Sequence, residues 1–238
     1  MDYFIIEEKK LIICCSPKCG STTIKHLILK YYGIQKDLNE TYHNKLNELL
    51  VNKKIALTDT DIDIDNYNEY NEYKIILVIR NPYHRLVSGF YGKYVRENSP
   101  YKNPPNCKRF LDFVNILYHT PDLIDEHHFK PQCSGETFKM IVEMKDNINI
   151  IEMNQIEIIA NELDLKYDID DIKNMKKNIK IYRNQDIKPA YLLNYQELRE
   201  YVITDYSLFY NKEIISIVNK IYSIDFNFFI SHNYNFIP

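Results

Sequence analysis

The chain has 238 residues, of which 45% are apolar and 26% charged, enough for one full-sized domain with its own core. With 30 Lys and Arg against 33 Asp and Glu, the formal net charge is −3, which excludes a wholesale basic nucleic-acid binder and a highly charged disordered protein. No stretch approaches the roughly 18 consecutive apolar residues of a membrane span. The N-terminal MDYFIIEEKK sets acids beside a short apolar run and does not read as a signal peptide. A soluble protein without an anchor is expected, and a cytoplasmic one fits.

Tyr occurs 21 times, Gly 5 times and Trp never, while Ile, Asn and Lys recur throughout. This is the bias of an AT-rich genome, as in some large DNA viruses and protists. Arguments from the many tyrosines are therefore weak, and each glycine is more informative. The five cysteines form no CxxC pair and match no zinc pattern. Cys14, Cys15 and Cys19 read as small buried apolar residues. A Cys107–Cys133 disulfide is possible, and no metal is expected.

In chain order, Lys10 to Cys15 is a continuous apolar run that suits a buried parallel strand. A turn with Pro17 and Gly20 follows, then a helix with Ile24, Leu27, Ile28 and Tyr31 on one face and Gly33 closing it. Residues 34 to 54 are polar, with a helix around Lys45 to Val51. Lys54 to Leu57 reads as a strand, and the acidic, Asn-rich run after it as a surface loop. Lys74 to Ile79 is the strongest strand. Asn81 and Pro82 break it and start a helix with Leu86, Val87, Phe90, Tyr91 and Tyr94 on its apolar side.

A loop over 97 to 107 precedes a helix from Lys108 to His119, and Thr120 to Gly135 is irregular. Asn147 to Glu152 is a strand and Gln155 to Leu163 a helix. Residues 166 to 190 are a polar connection. The end is helical over Tyr195 to Tyr201 and Lys212 to Tyr222. No repeat or low-complexity linker occurs. Alternating strands and helices imply a single α/β domain over residues 1–238, with helices in layers on a central parallel sheet.

The segment Leu11 to Thr23 is strand, tight turn, helix. A helix start presents open amides to an anion. Gly20 lets backbone approach a phosphate closely. Lys18 adds a charge, and Ser21, Thr22 and Thr23 add hydroxyls. This is the local physics of a P-loop-like nucleotide-binding fold. The letters differ from GxxxxGK[ST], because Lys18 precedes the glycine and no clear magnesium-holding Asp follows a strand. In VIRNPYHRLVSGFY, Arg80 stands where the strongest strand ends, which is where ligands bind in open α/β sheets. Arg85 and Ser88, three residues apart, share a helical face. An Arg and a Ser converging there suit a second phosphate.

Together these segments resemble the sulfotransferase family that uses 3′-phosphoadenosine 5′-phosphosulfate, and within it the carbohydrate branch. SPKCGSTT resembles the family's 5′-phosphosulfate loop, which implies donor contacts from Pro17, Lys18, Cys19, Gly20, Ser21, Thr22 and Thr23. RNPYHRLVS resembles its 3′-phosphate motif, matching R-x-P-x-x-R-x-x-S at Arg80, Pro82, Arg85 and Ser88. DEHHFKPQC resembles an acidic-His-Trp-x-Pro-Gln stretch through Glu126, His127, Pro131 and Gln132. NKIYSIDFNFF resembles a closing Tyr-x-x-Asp-Phe-x-x-Phe. The resemblance runs from about residue 10 to about residue 230. Departures are His128 in place of Trp, Phe90 in place of a common Tyr, and no N-terminal anchor of the kind that goes with a Golgi location.

The resemblance implies in-line transfer of a sulfuryl group from that donor to an acceptor hydroxyl, a sugar being favoured, without a metal. Lys18 would stabilise charge on the leaving oxygen, the amides of Gly20 to Thr23 would hold the 5′-phosphate, and Arg80 with Ser88 the 3′-phosphate. Arg183 and Asn184 fall near a polar stretch that contacts the nucleotide in the branch. The general base is open between Asp59, after the Lys54–Leu57 strand, and His127, with His43, His84 and His128 behind them. A nucleotide kinase and a non-catalytic glycan-binding module are the rival readings.

Overall fold

The computed structural model describes residues 1–34, 56–57, 70–96, 104, 106–124, 126–143, 148–166, 189–200 and 205–238. They fall into two compact units, Met1–Arg80 with Ser134–Met175 and Asn81–Cys133 with Lys176–Pro238.

The first unit is built on a five-stranded sheet. Its strands are β1 (Asp2–Ile6), β2 (Leu11–Cys15), β3 (Ala56–Leu57), β4 (Lys74–Ile79) and β5 (Ile148–Glu152), in the order β3-β1-β2-β4-β5. The expected parallel centre is present: β2 pairs with β4 from Leu11↔Lys74 to Cys15↔Val78, and β4 pairs with β5 from Ile75↔Ile148 to Ile79↔Glu152. Sequence reading did not foresee β1. It returns antiparallel to β2 through a three-residue 3₁₀ turn, Glu7–Lys9, closed by Lys10 in the left-handed region, and such a short link is open only to antiparallel neighbours. β3 is antiparallel to β1, so it runs with β2, β4 and β5. The sheet is therefore mixed, and the fold is α/β.

β2 and β4 carry no polar alternation because both their faces are covered: Leu11 to Cys15 and Ile75 to Ile79 are all buried. On one face, Phe4, Ile13, Cys15, Ile76, Val78 and Ile151 pack with α1 (Ser21–Tyr31). Ile159, Ala160 and Leu163, from α6 (Glu157–Glu162) and its end, join them. Gly33 ends α1 at φ +66, and its N–H bonds the Lys30 carbonyl.

The second unit is helical. It comprises α2 (Pro82–Phe90), α3 (Phe110–His119), the single turn α4 (Glu126–Phe129), α7 (Tyr195–Glu200), α8 (Lys212–Ile221) and α9 (Ser223–Ser231). Among the described residues, one further helix, α5 (Glu136–Glu143), belongs to the first unit and was not read from the sequence. Asn81 caps α2 by accepting the Tyr83 N–H, with Pro82 in the first turn. A π-helical stretch, Tyr91–Val95, continues α2. The core is aromatic: Phe90 lies 5.1 Å from both Phe110 and Phe113, and Phe113 lies 5.0 Å from Phe129, between ring centres. Such tilted and edge-on contacts suit the ring quadrupoles.

All five cysteines are buried thiols and form no disulfide. Cys107 instead meets the Tyr195 hydroxyl at 2.9 Å. The helix expected around Lys45 to Val51 lies outside the described residues. Among the described residues, no helix is long and apolar enough to cross a membrane.

Candidate active site

The parallel register brings the carboxyl ends of β2 and β4 side by side, and the two candidate phosphate turns grow from them. After Cys15 the chain makes a tight turn in which the Cys19 N–H bonds the Ser16 carbonyl at 3.1 Å. Lys18 adopts φ +69 and Gly20 φ +91. The second value is one that L side chains rarely adopt, which is why glycine stands there. A Cβ on Gly20 would also come within 3.0 Å of Met153 Cγ, so the turn is seated against the chain that leaves β5.

Gly20 is the N-cap of α1 and supplies no capping side chain. The first intrahelical bond is from Ile24 N–H to the Gly20 carbonyl. The amides of Ser21, Thr22 and Thr23 therefore have no helical carbonyl behind them. They sit at the positive end of the helix dipole, an arrangement that suits an anion. Cys19 beneath them is fully buried. Cys15 is buried as well, and burial pushes its thiol well up, so both cysteines serve packing.

Arg80 follows the last residue of β4. Its half-buried guanidinium donates to the Lys18 carbonyl at 2.8 Å. The two motifs are thus joined directly, and Pro17, Lys18, Cys19, Gly20, Ser21, Thr22, Thr23 and Arg80 share one sheet edge. β3 also ends there, because Leu57 pairs with Tyr3 and Asp2 pairs with Cys15.

The sequence reading missed a charge pair at this edge. Lys25, on α1 just past the loop, is buried. Its ammonium lies 3.5 Å from the Asp2 carboxylate and 5.8 Å from the Phe4 ring centre. The only available hint was a lysine inside an otherwise apolar helical face.

In the second unit, Ser88 is half-buried on α2, and His127 is exposed on α4. Gly89 is the contact between these helices: a Cβ there would fall 2.6 Å from Phe129 Cε1. Arg85 was expected to share a ligand-facing side with Ser88. Instead it is 1% exposed, and its guanidinium donates to the Lys130 carbonyl at 2.8 Å. His84 packs on Tyr206, and His128 on His127. Asp59, His43, Arg183 and Asn184 lie outside the described residues.

Among the described residues, no group of three or more His, Cys, Asp or Glu could hold a metal ion. A model of the sulfotransferase family matches residues 1–232. Similar proteins include carbohydrate sulfotransferase 10 of Danio rerio, 26% identical over 96 residues, which make up 39% of this chain and 25% of that protein. Carbohydrate sulfotransferase 9 of Homo sapiens is 25% identical over 146 residues, 52% of this chain and 32% of that protein. The matches thus span between a quarter and a third of those relatives' length. A crystal structure of mouse sulfotransferase SULT7A1 complexed with PAP aligns with a TM-score of 0.43 at 15% identity, covering 91% of this chain and 84% of that one. With the family pattern running from residue 1 to residue 232, the chain belongs to the sulfotransferase family.

Proposed function

We propose that this chain transfers a sulfuryl group from 3′-phosphoadenosine 5′-phosphosulfate to a hydroxyl of a carbohydrate. The observation that carries the reading is the Arg80–Lys18 hydrogen bond, beside the open amides of Ser21 to Thr23. One sheet edge thereby offers a cationic turn and a helix start, as a nucleotide with phosphates at both ends of its ribose requires. The relatives' names favour a sugar acceptor.

In this reading the amides of Gly20 to Thr23 hold the 5′-phosphate, and Arg80, with Ser88, holds the 3′-phosphate. Lys18 places its ammonium where charge develops on the leaving oxygen. Positioning and electrostatics then supply the catalysis, as in phosphoryl transfer. Pro17 and Cys19 shape the loop, and Arg183 is assigned to the nucleotide. Asp59 and His127 remain the two base candidates. No step is assigned to a metal. The residues form one sulfotransferase domain.

The test is transfer of labelled sulfate from the donor to a panel of glycans, peptides and phenols, with calorimetry of adenosine 3′,5′-bisphosphate in the presence and absence of magnesium. Magnesium-independent binding with transfer to a glycan is expected. Binding of ATP only with magnesium would replace the reading with a kinase. Glycan binding without turnover would replace it with a non-catalytic module.

A further inference from the structure

The turn from Phe129 to Cys133 belongs to no sheet and follows a helix of a single turn. Its backbone groups therefore need partners from elsewhere, and buried side chains supply them. The Tyr222 hydroxyl donates to the Phe129 carbonyl at 2.9 Å, and Arg85 donates to the Lys130 carbonyl at 2.8 Å. The Asp225 carboxylate accepts the Gln132 N–H at 2.9 Å and the Cys133 N–H at 2.7 Å, through separate oxygens. Tyr222 and Asp225 are 0% exposed and Arg85 1%. Burial drives the Asp225 carboxyl up, while the two amides and the field of Arg85 work against that rise.

A buried cation and a buried anion are costly, and an apolar pair of similar volume commonly serves stability as well or better. What they give here, with Tyr222, is a defined backbone for four of five consecutive residues. Gly89 fixes the same turn sterically, since only a residue without Cβ clears Phe129. Two segments far apart in sequence, α2 and the chain around Tyr222 and Asp225, thus converge on one short stretch, and the helical turn leading into it carries exposed His127.

We infer that Arg85 and Asp225 are positioning residues that set the turn following α4, the helical turn that bears His127, and that Arg85 makes no contact with the nucleotide. This rests on the sulfotransferase reading and makes His127 the acceptor-side group. A misplacement of about 1 Å in such a support costs up to about a hundredfold in turnover.

The test compares full-length Arg85→Lys, Asp225→Asn, Tyr222→Phe, His127→Ala and the His127→Ala/Asp225→Asn double variant. Three readouts are taken: affinity for adenosine 3′,5′-bisphosphate, kcat and KM for the acceptor, and hydrogen exchange at the Gln132 and Cys133 amides. Arg85→Lys and Asp225→Asn are expected to keep nucleotide affinity within about twofold and lower kcat by about ten- to a hundredfold. Exchange at both amides should quicken in Asp225→Asn. The double variant should lose no more than His127→Ala alone, because residues acting through one another are not additive. Tyr222→Phe, the mildest change, should lower kcat in the same direction if the charged variants fold poorly.

A tenfold or greater loss of nucleotide affinity in Arg85→Lys would overturn the assignment. So would additive losses in the double variant, unchanged kcat in Tyr222→Phe and Asp225→Asn, or a silent His127→Ala. If the wild-type chain transfers no sulfate to any acceptor, the functional reading fails. Amide exchange then decides the positioning role by itself, with unchanged exchange in Asp225→Asn counting against it.

Discussion

The guanidinium of Arg80 donates a 2.8 Å hydrogen bond to the carbonyl of Lys18, 62 positions earlier in the chain. One arginine therefore closes the strand that carries it and braces the loop on the neighbouring strand. Arg80→Ala is expected to weaken adenosine 3′,5′-bisphosphate by about 1.5–3 kcal/mol, the range for a hydrogen bond to a charged group. Adenosine 5′-phosphate lacks the 3′ group, so a role in reading that group alone predicts indifference. The bond to Lys18 changes that expectation to a smaller loss, about 1 kcal/mol, the net value of an ordinary hydrogen bond. Calorimetry with both nucleotides measures the difference, and equal losses would mean that Arg80 acts only as a brace.

Lys18→Ala addresses the chemistry. Alanine keeps a Cβ at the same left-handed backbone position, φ +69, so the variant removes charge without changing the conformational cost. If the ammonium acts mainly on the transition state, kcat should fall by about a hundredfold or more, with product affinity far less affected. Parallel losses in both would reduce Lys18 to a binding residue.

The elements that hold the loop were legible because local chemistry and tertiary placement agreed. LIICC and KIILVI are continuous apolar runs since both their faces are covered, and Asn81-Pro82 is a cap and first turn with no other good use. β1 was not legible. DYFII is short, sits beside acids, and becomes a strand only because β2 lies next to it. The role of Arg85 was hidden for a related reason. Spacing puts it on the Ser88 side of a helix, whereas its burial depends on Lys130 and on residues near Asp225, about 45 and 140 positions away. The Tyr222 and Asp225 letters were visible in the tail, but nothing local says that their polar atoms turn inward to a backbone.

Gly20→Ala should damage the loop directly. The substitution imposes a left-handed conformation on an L residue at about 1–2 kcal/mol, and its methyl meets Met153 Cγ at 3.0 Å. A lower denaturation midpoint and weaker nucleotide binding are expected together. Gly33→Ala, equally left-handed but with nothing within 4 Å, should lower the midpoint and spare binding. Equal effects on binding from both would remove the special place of Gly20.

The thiols give a check on packing. All five are buried, and burial pushes Cys107 up to about 11. A thiol reagent at pH 8 should label the native protein slowly if at all and react with all 5 cysteines once it is unfolded. Rapid labelling of Cys19 in the native state would mean that the turn before α1 opens.

Asp225 makes a pH prediction whose sign follows from its burial. Its carboxyl is raised above the ordinary 3.8, first by desolvation and against the pull of the Cys133 and Gln132 amides and of Arg85. The folded state therefore binds this proton more tightly than the unfolded state, and protonation favours folding. The contribution is fully present below the unfolded value near 3.8. It is lost as pH rises through the higher folded value, and above that it is constant. Asparagine at 225 has no such proton. The stability of the wild type minus that of Asp225→Asn, from urea unfolding at a series of pH values, should decline from pH 3 toward neutrality and then level. A difference that instead grows with pH would mean that the amides and Arg85 outweigh burial and hold the carboxylate below its ordinary value.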